Sequence, residues 1–300
     1  MWKLGGLTFW QLTRRVAHGT LEDDLFGRSS ELAFNFLLAL FPLLLFMLVL
    51  FGLFASRSTE LQNSLLFYFA HFLPPSAFQL FTAITTEMAE NATSGKLTFG
   101  ITLTLWFASG GMSSMISTLN AVYHAHESRS WFRIRVIALG LTIALSVLLL
   151  ASLFIVLAGE HFIDWIGVKL HWTAVSVIAW KALQWAAVVV FLTLSFSLIY
   201  YAGPNLERRR WSWTTPGSVI GGFLWLSASA GFRVYLHFFN TYATTYGSLG
   251  AMMILLVWLY VTGLAFLVGG EINAQIEQAT GKAAPNNNER DCDRVDLGRQ

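Results

Sequence analysis

A small set of residues in this chain could do chemistry. His124-Ala-His126-Glu127 places two imidazoles beside a carboxylate, the start of a metal or hydrolase site. It is only a fragment, because no Asp-His pair follows and no second His/Asp cluster would complete a di-metal centre. No phosphate-cradling glycine loop or serine-nucleophile elbow is present. The one cysteine, Cys292, lies in a polar tail, which excludes an internal disulfide and a cysteine-rich metal cage. The reading is therefore a chain without catalytic residues, metal or cofactor, and not an enzyme.

Polar and charged groups at the edges of apolar runs carry more information. In a bilayer each such charge costs about 2.5–3.5 kcal/mol on insertion scales, and it usually faces a cavity. Glu31 and Asn35 are one helical turn apart, Glu271 and Asn273 close the last apolar run, and Asn120 closes the second, with His124 and Glu127 beyond it. All of these fall at one depth if the runs are membrane spans. A polar cavity is then expected there, with Arg129 or Arg133 as counter-charge. The alternative is that these are solvated helix ends and caps. Near the opposite side, Lys181 can snorkel along its own stem, whereas Arg233 lies deeper and needs a partner such as Tyr235, Tyr242 or Tyr246.

The elements that must position these residues follow from composition. The chain has 300 residues, of which 55% are hydrophobic and 12% charged, more apolar surface than a water-soluble fold of this size could cover. Its net charge of +2 gives no case for nucleic acid. Arg14 and Arg15 interrupt the N-terminal region before any long apolar run, so the first span is expected to direct insertion. Six spans are predicted, at about 32–56, 97–121, 135–159, 180–204, 216–239 and 248–270. Together they form an all-α integral membrane domain over residues 1–279.

The stretch 61–86 is long enough to be a seventh span but carries Pro74-Pro75, Gln62, Asn63 and His71, so it reads as an external helical segment between the first two spans. Charge agrees: six spans leave Arg14, Arg15, Arg129, Arg133 and the Arg208–Arg210 triplet inside, and only Arg57, Lys96 and Lys169 outside. Both termini are then cytoplasmic. Trp131, Trp165, Trp172, Trp211 and Trp213 mark span ends. Phe9–Ala17 alternates apolar and basic residues at helical spacing, as a cytoplasmic interfacial helix would. Residues 280–300 read as a disordered tail. Gly217, Gly221 and Gly222 fit a small-residue packing face; Gly110-Gly111 fits either close packing or a broken, cavity-lining helix.

Four segments resemble the YihY/BrkB family of bacterial inner-membrane proteins: 31–46, 106–135, 200–226 and 241–277. The shared marks are Pro204-Asn205, Pro216-Gly217, Tyr246-Gly-Ser-Leu-Gly250 and Gly270-Glu-Ile-Asn273; Phe34 and Ala39 stand where the family often has Tyr and Ser. The resemblance implies a six-helix protein of the bacterial inner (plasma) membrane. It supplies no catalytic residues, and the older ribonuclease label lacks residues to support it.

The leading functional expectation is a transporter or translocator of a lipid or amphiphilic envelope precursor. The alternative is a non-transporting scaffold or envelope-integrity factor, and third a membrane-associated hydrolase or ribonuclease. The expected partners are the lipid bilayer, an amphiphilic substrate and further copies of the chain, with no nucleic acid.

Overall fold

The computed structural model describes residues 5–55, 95–170, 174–206, 214–238 and 248–280. Every regular element among them is helical: α1 (Phe9–Glu22), α2 (Leu25–Ala55), α3 (Gly95–Val122), α4 (Trp131–Leu170), α5 (Ala174–Ala202), α6 (Pro216–Phe238) and α7 (Ser248–Ala279). The long apolar runs leave no alternation that a strand could use. Backbone amides in hydrocarbon are satisfied only inside a helix or a closed barrel. The hydroxyls inside the runs follow the same rule: Ser29, Thr118, Thr142 and Ser195 each donate to the carbonyl four residues earlier.

By length and composition, three described helical stretches could cross a membrane: Trp131–Val156, Ser176–Ala202 and Met252–Ala279. The segment between the first two expected spans, the tail beyond 280, the Arg208–Arg210 triplet, Tyr242 and Tyr246 lie outside the described residues.

Helices α2 to α7 pack as a closed series, each against the next, with α7 returning to α2 and touching α3. The shared core is Leu25 and Leu32 of α2, Ile116 and Leu119 of α3, Ala138 and Leu141 of α4, Phe196 and Tyr200 of α5, and Phe266 and Leu267 of α7. Tyr200 stacks on Phe266 at 4.9 Å and donates its hydroxyl to the Phe266 carbonyl at 2.6 Å. Gly110-Gly111 does not break α3. A Cβ on Gly111 would lie 3.1 Å from that of Ala39, so this pair serves the close approach of α3 to α2.

α1 is amphipathic for a local reason. Leu12, Val16 and Gly19 recur at helical spacing and are buried, the first two packing with Ile272 of α7, while Phe9, Trp10, Arg14, Arg15 and Leu21 stay exposed. Asp24, at φ 48°, turns the chain between α1 and α2, and its Oδ1 accepts the Gly27 N–H at 3.1 Å.

Among the described residues, burial is concentrated at the end of the bundle that carries α1. α5 and α6 meet there, where Gly221 lies against Tyr200 and Phe196, and Gly222 against Leu192. Farther along, α5 leans on α4, with Gln184 Nε2 donating to the Ile155 carbonyl at 2.9 Å. α6 leans on α7, with Trp225 Nε1 donating to Thr262 Oγ1 at 3.1 Å. From Phe223 to Tyr235 no residue is buried, and from Ser176 to Ser195 only Gln184 is. A helix packed between two neighbours shows a buried stripe. α5 and α6 lack one in this half.

Candidate functional site

Three polar constellations occupy the α1 end. The first joins the α3–α4 connection to the segment after α5. Glu127 accepts from Arg129 Nε at 2.8 Å on one oxygen and from Arg129 Nη2 at 2.6 Å on the other, a bidentate pair. Glu127 also accepts from Asn120 Nδ2 at 2.6 Å, and Arg129 Nη2 reaches the Gly203 carbonyl at 2.8 Å. Asn205 closes the ring: its N–H donates to Asn120 Oδ1 at 2.7 Å and its Nδ2 to the His126 carbonyl at 2.9 Å. The Arg129 guanidinium holds the Glu127 carboxyl below the usual carboxylate range.

In the second constellation, Asn273 Oδ1 accepts the Gly217 N–H at 2.9 Å, and its Nδ2 donates to Thr215 Oγ1 at 3.0 Å. Helix starts leave N–H groups without intrahelical acceptors, so here α7 caps α6.

The third surrounds Glu271, which has no exposed surface. Its Oε1 accepts from Gln275 Nε2 at 2.8 Å, and its Oε2 has no hydrogen-bond partner among the described residues. α1 crosses directly over it, and a Cβ at Gly19 would collide with the carboxylate. Beside it, His124 Nε2 lies 3.1 Å from Asp23 Oδ1, while Asp23 Oδ2 is also buried without a hydrogen-bond partner among the described residues. His124 Nδ1 lies 3.4 Å from Gln278 Nε2. Burial raises the Asp23 carboxyl above its ordinary value, with His124 opposing the shift.

The expected cavity residues are thus divided. Asn120 and Arg129 share the first ring, Asn273 caps α6, and Glu271 sits under α1. Glu31 is exposed, and Asn35 Nδ2 donates to the Glu31 carbonyl at 3.0 Å within α2. Arg233 is exposed in the far half of α6, where Tyr235 stacks on Phe232 at 6.3 Å. Lys181 is exposed in the far half of α5.

Asp23, Gly19, Asn205 and Gln275 were missed in sequence. Asn205 was within reach, since it belongs to the Pro-Asn pair singled out after the fourth apolar run. Arg135 is a further addition, its guanidinium lying 4.3 Å above the Trp106 ring.

The signature of a family described as Virulence factor BrkB matches residues 16–292. The chain is 34% identical to the ribonuclease-like protein YfkH of Bacillus subtilis, over 84% of this chain and 90% of that one. It is 26% identical to a UPF0761 membrane protein of Tolumonas auensis, over 89% of this chain and 83% of the relative. A UPF0761 membrane protein of Photobacterium profundum is 28% identical over 88% of this chain and 79% of its own. No solved structure matches.

Proposed function

For this chain, which belongs to the Virulence factor BrkB family of membrane proteins, we propose a translocator of a lipid or amphiphilic envelope precursor in the bacterial inner membrane. In this reading α2 to α7 are six spans, the α1 end faces the cytoplasm, and both termini lie there. The distribution of charge supports that orientation: Arg14 and Arg15 of α1, Arg28 at the start of α2 and Arg129 beside the end of α5 are all at the α1 end.

One observation carries the functional reading: α5 and α6 meet at the α1 end, and beyond it neither carries a buried stripe, which we read as a lateral gap between them. Such a gap gives an amphiphile a lateral way in. Its polar part enters between helices while its acyl chains remain in the bilayer, so the apolar tails need never be carried through water. The tight core at the α1 end closes the other side, as alternating access requires.

A scaffold reading takes the same gap as the seat of a partner helix. Reconstitution separates the two. With purified protein in vesicles holding a fluorescent headgroup-labelled phosphatidylethanolamine, an impermeant reductant should bleach well beyond the outer-leaflet share. Bleaching identical to that of protein-free vesicles, across labelled phospholipids and a polyprenyl phosphate, overturns the proposal.

A further inference from the structure

We propose that Glu271 is a proton-binding site, filled from the α1 end by way of His124 and Asp23. Glu271 has no exposed surface and accepts from one amide, that of Gln275, with Oε2 unpartnered among the described residues. An ionised carboxylate in that setting is an uncompensated charge, and the neutral acid costs far less to bury. The same environment would therefore release and bind a proton if a path to water exists.

The contacts supply its outer part, from water to Asp23, and Asp23 acts electrostatically on Glu271. His124 is the outer member, with 58% of its side chain exposed, and Asp23 is the inner member at 11%. Gln278 faces His124 Nδ1, which leaves Nε2 to carry the hydrogen toward Asp23 Oδ1. A proton taken from water at Nδ1 releases the Nε2 proton to Asp23. Asp23 then passes a proton on to Glu271, the free oxygens being Oδ2 and Oε2, neither of which has a hydrogen-bond partner among the described residues, and the imidazole returns to neutral. No other co-reactant is needed.

The other ionisable neighbours do not neutralise Glu271. Asp23 and Glu22 oppose its charge and His124 favours it. Arg28 acts on Asp23, with its Nε donating to the Asp23 carbonyl at 2.7 Å. Tyr123, buried just past the end of α3, feels both Glu277 and Glu271. Gly19 adds the second geometric element. Because it has no side chain, α1 lies on the carboxylate, so a change in Glu271 charge acts directly on an amphipathic helix at the membrane surface.

Only the use made of the proton, coupling to amphiphile movement, rests on the translocator reading. Dicyclohexylcarbodiimide tests the site itself, because it adds to protonated buried carboxyls to give a stable N-acylurea. The full-length protein in nanodiscs is labelled at about pH 6 and about pH 9, in sodium and in choline chloride, and mapped by mass spectrometry. The expected result is an adduct at Glu271, several-fold stronger at the lower pH and indifferent to sodium, in wild-type protein that needs no mutation to be read. Absence of the adduct, an equal yield at both pH values, or protection by sodium overturns the proposal. In Glu271→Gln, a pH-dependent carboxylic infrared band should vanish, and in His124→Gln it should persist but appear more slowly after a pH jump. Persistence of the band in Glu271→Gln, or an unchanged rate in His124→Gln, also overturns it. Lipid movement is read separately, so failure of one proposal leaves the other standing.

Discussion

Asn273 of α7 takes the place of a local cap for Gly217 at the start of α6, accepting its N–H and bonding Thr215 with the same amide. The joint between the two helices is therefore polar as well as tight: a Cβ on Gly269 would lie 3.0 Å from the Gly221 Cα and 2.7 Å from the Gly217 carbonyl oxygen. It fixes α6 to α7 at the end where α5 also touches α6, so the lateral gap proposed between α5 and α6 begins from a held point.

Asn273→Ala should destabilise the protein by about 1–2 kcal/mol, the usual cost of removing a helix cap. Asn273→Asp keeps the acceptor and places a negative charge at a helix N-terminus, so it should stay close to wild type. Denaturant unfolding in detergent measures both. Equal loss in the two variants would show that the amide donor to Thr215, rather than the cap, matters.

Glycine substitutions should divide sharply along α6. A Cβ at position 217 would meet the Gly269 carbonyl and lie 2.6 Å from Asn273 Oδ1, and helix backbone cannot yield as a side-chain tip can. Gly217→Ala should cost about 1–3 kcal/mol, in the range of other overpacking changes. At position 222 the nearest atom is Leu192 Cδ2 at 3.8 Å, so Gly222→Ala should stay within about 0.5 kcal/mol of wild type. Thermal midpoints of the two purified variants decide it.

Stability should also carry the mark of Glu127. Arg129 depresses its carboxyl in the folded state, so between the folded and ordinary values the unfolded chain binds more protons than the native one. The contribution is present above the ordinary carboxylate range and is lost as pH falls through the depressed value. Wild-type protein should weaken on acidification in that window more steeply than Glu127→Gln, as read from unfolding midpoints over an acid series. Parallel curves would remove Glu127 from the account.

Helices were legible in the sequence and their neighbours were not. Apolar runs mark where α2 to α7 must lie, because length and lack of charge are local properties. Distance to the end of an apolar run is local too, and it sets the expectation of one level for Asn120, Glu271 and Asn273. Rotation about each helix axis and the identity of the facing helix are not local. Asn120 meets Asn205 across 85 positions of sequence, and His124 meets Gln278 across 154. Glu31, expected at that level, turns outward, and only packing of the adjacent Leu32 and Ala33 into the core decides it. Gly19 gave no signal at all, because its role is the absence of a side chain over a carboxylate distant in sequence.

The threading can be tested with the one cysteine the chain owns. An even number of crossings returns the C-terminus to the side of the N-terminus, and α1 already packs on the closing part of α7. In the proposed orientation that side is the cytoplasm, because Arg28 at the start of α2 and Arg129 beside the end of α5 lie there and positive loops resist transfer. Cys292, 13 residues beyond the end of α7 at Ala279, should then be shielded in intact cells. A membrane-impermeant maleimide added to spheroplasts should leave it unmodified, and the same reagent should modify it fully once the membrane is permeabilised. Labelling before permeabilisation would place the α1 end outside, and Glu271 would then draw its proton from the external medium.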